Sequence, residues 1–218
     1  MPTRSIVWAG LFGVAVAALT GCPSKEPVEP VATAEPEPDP PKKTEKPKPK
    51  CEELAEKCAA TADTQAKIAN ADSVFVPPEG WHYAQQTEMT IAQPDGTPGA
   101  MAITAFEGAG PEEAKARDAS YEKLVQGLAI SPPEKFKKKF VPRWDKPDDA
   151  RKTGSTEIKL WQAEKAKRDG KDGFLLVLLT SDPAGKKILG VAFSPEGDDK
   201  TVEAISKSLE TIGPGSYQ

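Results

Sequence analysis

The 218 residues contain a single histidine, His82, and three cysteines. One histidine excludes a metal centre built on several imidazoles. A serine–histidine–acid triad would have to use His82, and no Gly-x-Ser-x-Gly elbow is there to present a nucleophile. Between Trp81 and Tyr83, His82 reads as a strand residue near a sheet edge. Positive charge is not in excess: Lys+Arg total 29 against 33 Asp+Glu, a net charge of −4 at pH 7, which argues against a nucleic-acid partner. Aromatics are 6%, enough for one modest core. The only long apolar run is Ile6 to Leu19, and at about 14 residues it falls short of the roughly 20 that span a bilayer. No internal repeat is present. Gly185-Lys186-Lys187 ends like a phosphate loop, but Thr180 and Lys187 occupy positions that such a loop gives to Gly and to Ser or Thr. That segment also joins two strands, where a phosphate loop leads into a helix. The acid pairs Glu112-Glu113 and Asp148-Asp149 read as helix-start chemistry and solvated loop, not as general acid/base pairs. The inventory therefore predicts no catalytic residues, no metal site and no cofactor.

What is present begins with an address. Arg4 and the free amine precede the apolar run, and small residues follow it, the pattern of a secretory signal. Leu19-Thr20-Gly21-Cys22 resembles the lipobox of bacterial lipoproteins: an aliphatic residue, two small residues, then Cys. The resemblance implies that residues 1–21 are a signal peptide cleaved after Gly21. It also implies diacylglycerol on the Cys22 thiol and acylation of the new amine. More than one chain is needed because a single acyl chain anchors only marginally. Pro23 follows, where lipoproteins retained in the inner membrane often carry Asp, so the expected location is the outer membrane facing the periplasm. An ordinary cleaved signal with a fortuitous Cys is the alternative.

Residues 22–50 form the next unit. Nine of the 22 prolines fall at 23, 27, 30, 36, 38, 40, 41, 47 and 49, and Val28 and Val31 are the only large apolar side chains. Such a stretch buries too little surface to offset its ordering entropy and reads as a disordered tether. In polyproline II, at roughly 3.1 Å per residue, it reaches at most about 85–90 Å. Its charge is sorted. After a lone Lys25, Glu26, Glu29, Glu35, Glu37 and Asp39 lie near the lipid end, and Lys42, Lys43, Lys46, Lys48 and Lys50, with Glu45 among them, near the far end. A membrane-hugging tether would reverse that order, so the segment reads as a stand-off spacer. Contact of its lysines with an anionic cell-wall polymer is the sharper alternative.

Residues 51–71 read as a helix carrying two cysteines, with Cys51, Leu54, Cys58, Ala62 and Ala69 on one face. An exported compartment permits a disulfide between Cys51 and Cys58. Helical geometry opposes it, because seven residues rise about 10.5 Å and a disulfide needs Cα atoms roughly 4.4–6.8 Å apart. Either the helix starts after Cys51 and the chain folds back, or the thiols stay unpaired.

Residues 72–212 read as an α+β domain, with 213–218 as a tail. A short strand at 72–76 stops at Pro77-Pro78. A hairpin joins Thr87–Gln93 to Ala100–Phe106 across a Pro/Asp/Gly loop. A helix starts at Pro111 with Tyr121, Leu124, Val125 and Leu128 as its apolar stripe. Glu134–Phe140 suits either a helical turn or a strand, and 145–154 reads as polar loop. Three meander strands follow, the middle one, Phe174–Thr180, almost wholly apolar and so covered on both faces. Gly190 in the last strand reads as a site of close packing. A final helix capped by Asp198 or Asp199 carries Val202, Ile205, Leu209 and Ile212. The expectation is an antiparallel sheet of about six strands flanked by helices.

This order, opened by Val76-Pro77-Pro78-Glu79-Gly80-Trp81 and closed by Ile205-Ser206-Lys207-Ser208-Leu209-Glu210-Thr211-Ile212, is similar to the PsbP-like superfamily. The resemblance implies an α/β/α sandwich and a non-catalytic binding or assembly role. The candidate contact surface is Lys135, Lys137, Lys138, Lys139, Arg143 and Trp144, with Phe136 and Phe140 between them, which fits an envelope protein or an anionic cell-wall polymer. The bland alternative is a solvated basic face over two core phenylalanines. A carrier of a small apolar or lipid ligand, with a pocket between sheet and helices, is the second functional reading.

Overall fold

A computed structural model describes residues 51–135, 138–153, 156–182 and 184–215. Cys22, the leader and the tether lie outside the described residues. The fold is α+β and its sheets are antiparallel. β1 (Ala66–Lys67), β2 (Ser73–Phe75) and β12 (Gly213–Pro214) form a small sheet in the order β1-β2-β12. The main sheet contains β3 (His82–Gln85), β4 (Thr90–Gln93), β5 (Ala100–Phe106), β8 (Asp149–Thr153), β9 (Thr156–Arg168), β10 (Lys171–Ser181) and β11 (Lys187–Pro195). Their order is β3-β4-β5-β11-β10-β9-β8. β6 (Glu134–Lys135) and β7 (Lys138–Lys139) make a two-stranded ribbon. The helices are α1 (Pro111–Gly127) and α2 (Asp199–Glu210). No helix among the described residues is long and apolar enough to cross a membrane.

Alternation along the strands decides the layers. On β11, Leu189, Val191 and Phe193 face a core closed by Tyr121, Leu124, Val125 and Leu128 of α1 and its end. Ile188 and Ala192 face the other way, toward Ile205 and Leu209 of α2 and toward Ile68 and Phe75. β10 alternates likewise, with Leu175 and Val177 on the α1 side and Leu178 on the α2 side. β5 is buried throughout, from Ala100 to Phe106, and β11 from Ile188 to Ser194. α2 starts at Asp198, whose carboxylate accepts from Thr201 N at 3.1 Å and Thr201 Oγ1 at 2.7 Å.

The structure corrects four expectations. Residues 51–71 are not a helix: they hold one 3-10 turn, Glu56–Cys58, and the strand β1. Cys51 and Cys58 are joined in a disulfide with Cα atoms 5.6 Å apart, a span a continuous helix forbids. The apolar side chains at 60, 66 and 68 are buried in the domain, so the segment belongs to it. Second, the loop at 145–154 contains β8, an exposed edge strand recruited by backbone pairing with β9 and so without an apolar face. It makes the main sheet seven-stranded. Third, the tail contributes β12. Fourth, the close approach lies at Gly173, not Gly190. A Cβ on Gly173 would stand 2.2 Å from Ser194 O, whereas one on Gly190 would meet Leu209 and Leu178 at 3.6 Å and beyond, ordinary contact.

Arg168, at the end of β9, ties three elements together. Its guanidinium donates to the carbonyls of Leu128 (2.8 Å), Pro98 (2.7 Å) and Gly99 (3.0 Å) and to Gln93 Oε1 (2.9 Å). Burial holds its pKa below the ordinary arginine value, with Asp169 opposing. The cation also sits at the negative end of α1.

Closing the short loop restricts the unfolded chain, so replacing Cys51 and Cys58 by Ser should cost about 2–3 kcal/mol. Urea unfolding of the double variant, and of the native chain under reducing agent, should give the same loss. The glycines should separate cleanly in the same assay. Gly173→Ala should cost about 1–3 kcal/mol by overpacking, while Gly190→Ala should lie between neutral and about 1 kcal/mol stabilising.

Candidate functional site

The chain leaves α1 at Leu128 and returns to the sheet at β8 through residues 129–148, which carry the basic segment. β6 and β7 pair antiparallel, Glu134 opposite Lys139 and Lys135 opposite Lys138. This resolves the helix-or-strand ambiguity in favour of a ribbon. Phe136 and Lys137 lie outside the described residues.

Beyond β7 the segment is pinned by aromatic side chains. Trp144 meets Tyr121 edge-on with centroids 6.0 Å apart, and Trp161 edge-on at 5.1 Å. The guanidinium of Arg117 lies 4.4 Å from the Trp144 ring centroid and is bound to Asp118 at 3.0 Å. Such cation–π contacts hold a cation without a full desolvation cost. Tyr121 Oη donates to Phe140 O at 3.2 Å, and Trp161 Nε1 donates to Arg143 O at 2.8 Å and Lys146 O at 3.2 Å. Trp144 Nε1 is buried without a partner among the described residues. Burial pushes the Tyr121 phenol well above the ordinary tyrosine value.

The predicted contact residues therefore divide. Arg143 is exposed. Lys135, Lys138 and Lys139 are placed together on the ribbon. Trp144 is half-buried: it packs against the α1-side core, with its ring between Tyr121 and Trp161. Sequence reading missed Arg117, Tyr121 and Trp161 as the scaffold of this segment. A usable signal was the period of two in Phe140, Pro142 and Trp144, which marks an inward face.

His82 lies on the edge strand β3, with Nδ1 3.4 Å from an exposed Asp95 carboxylate. Among the described residues no group of three or more His, Cys, Asp or Glu is gathered as a metal centre. The space between sheet and helices is filled by the two cores. A cleft of about 380 Å³ lies instead beside α2, between Pro77, Pro78 and the mixed charges Lys200, Glu203 and Lys207, and opens to solvent.

No family model matches the chain, and no curated protein matches it. Among solved structures, one from Bacteroides thetaiotaomicron VPI-5482 aligns with 73% of this chain at 12% identity and a TM-score of 0.42. The chain spans 50% of that protein's length. A likeness this loose places neither fold nor function.

A packed Trp144 predicts a stability phenotype. Trp144→Ala should destabilise by about 3 kcal/mol or more, which a solvent-facing contact residue would not do. The raised Tyr121 pKa sets the sign at alkaline pH. The buried neutral phenol stabilises fully below the unfolded pKa near 10.0, and that contribution is lost as pH rises toward the folded value. Tyr121→Phe should therefore lose less stability than the native chain above pH 10.0 in thermal melts.

Proposed function

We propose that this chain is an exported lipoprotein, anchored through acylated Cys22, whose α+β domain is a non-catalytic binding or assembly module of the cell envelope. The observation that carries the reading is Leu19-Thr20-Gly21-Cys22 at the end of the apolar leader, followed at once by the proline tether. The disulfide at the start of the domain supports an oxidising compartment. The absence of an Asp after Cys22 favours the outer membrane, with the domain facing the periplasm.

We also propose the finer fold, a PsbP-like sandwich. Its support is the order of elements: hairpin β4–β5, then α1, then the meander β9–β11, then α2. One helix lies on each face of the main sheet. The departures are β8, the small sheet β1-β2-β12 and the presence of only two helices among the described residues.

A binding role is preferred to catalysis because the only imidazole is met by one exposed carboxylate. It is preferred to ligand carriage because the layers are filled with side chains. The exposed Arg143 and the lysines of β6 and β7 are the surface through which a partner, an envelope protein or an anionic wall polymer, would be met.

Labelling cells with palmitate tests the anchor. The native chain should carry label and fractionate with membranes, and Cys22→Ala should lose the label and appear in the soluble periplasmic fraction. Unlabelled native protein would overturn the lipoprotein reading.

A further inference from the structure

The main sheet ends on one side in a covered edge and on the other in an open one. Along β3, Ala60 N donates to Trp81 O at 2.8 Å, Gln85 N donates to Cys51 O at 2.6 Å and Ala59 bridges His82. Among the described residues no strand lies beyond β8, and Asp149, Ala150, Arg151 and Lys152 are all exposed. The outer side of an edge strand is a template for another strand, and its side chains decide which strand fits.

The order of charges in β8 makes that choice. From Asp148 the chain reads Asp-Asp-Ala-Arg-Lys, with acids before and bases after a central alanine. Reversing the chain direction exchanges the two signs. A second copy laid antiparallel with Ala150 opposite Ala150 therefore sets Asp149 opposite Arg151, twice by symmetry, and Asp148 opposite Lys152. Opposite charges facing across a pair of strands stabilise it. The neighbouring registers fail. Facing residues in an antiparallel pair either both bond across or both do not, so a symmetric self-pairing must bring some residue opposite itself. Centring on Asp149, Arg151 or Lys152 sets like charges face to face, which destabilises. Within one chain Arg151 Nε already donates to Asp149 Oδ2 at 2.7 Å. Pairing extends that couple into a ring of alternating charges on one face. Asp148 adds less, because its Oδ2 accepts from Gln162 N at 2.8 Å.

We propose that β8 is the interface of a symmetric dimer. Two copies of this chain join edge to edge about a two-fold axis at Ala150, and their main sheets become one. The contact is isologous and consumes the open edge of the main sheet; with β3 covered, assembly stops at two. Each copy contributes the five residues of β8, so the dimer is weak and depends on concentration. The contact belongs to the domain and does not require the lipid anchor.

The test is sedimentation equilibrium on the chain from residue 22 onward with Cys22→Ser, which keeps every described residue. With β8 intact it should show a monomer–dimer equilibrium that added salt weakens. Asp149→Arg and Arg151→Asp should each raise the dissociation constant about tenfold or more, because attractive pairs become repulsive. An equimolar mixture of these two variants should recover the dimer, since each supplies the charge the other lacks. The double exchange in one chain should recover it too. Ala150→Cys adds a thiol at the axis and should oxidise to a disulfide-linked dimer, whereas Lys152→Cys, away from the axis, should stay reduced. Thermal midpoints of the charge variants should stay near the native value, because an exposed ion pair contributes little to folding. A chain that is monomeric at every concentration overturns the proposal. So do charge variants that dimerise as well as the intact edge, a mixture of the two that stays monomeric, and growth beyond dimers.

Discussion

The two faces of β10 and β11 are apolar at once, and most of the architecture follows from hiding both. A strand with Leu189, Val191 and Phe193 on one side and Ile188 and Ala192 on the other needs a layer on each. α1 supplies the first. α2 alone is too narrow for the second, so Ile68, Phe75 and Trp81, brought in by the segment before β3, complete it. This explains why residues 51–71 abandon the helix that their composition favours. Burial of Ile68 and Phe75 at 0% exposure outweighs local propensity, which amounts to tenths of a kcal/mol per residue.

An open sheet leaves two edges, and the chain treats them differently. At β3, Cys51 O accepts from Gln85 N at 2.6 Å, Ala60 N donates to Trp81 O at 2.8 Å, and Ala59 bridges His82. The disulfide loop therefore lies along the outer edge of β3 and occupies groups that would otherwise template another strand. At the opposite edge, β8 is exposed and carries Asp149, Arg151 and Lys152. Charge there discourages pairing with any strand whose charges do not complement it.

Much of this was legible from residue order. The hairpin, α1 with its stripe, the meander and α2 with its Asp198 cap follow from periodicity and capping, which are local signals. What was hidden depends on partners distant in sequence. β8 has no apolar alternation, because an edge strand with solvent on both faces needs only the backbone of β9. The disulfide was held open by a helix that tertiary burial removes. Gly173 looks like turn chemistry until Ser194 O is seen beside it, and Arg168 looks like a solvated turn residue until Leu128, Pro98 and Gly99 turn their carbonyls toward it. Neither glycine nor arginine announces such a role alone.

The basic segment shows the same division at finer grain. Its charge is plain in the sequence; its orientation is not. Trp144 reads as a surface anchor beside Arg143, yet Tyr121, Trp161 and Arg117 take its ring inward. Drawing Phe140, Pro142 and Trp144 in forces Val141 and Arg143 out, because an extended chain sends successive side chains to opposite sides. The exposed valine is therefore a consequence of how the segment is fastened, and the fastening residues lie on α1 and β9, elements that belong to the core. A surface built this way cannot adjust its apolar point independently of the fold.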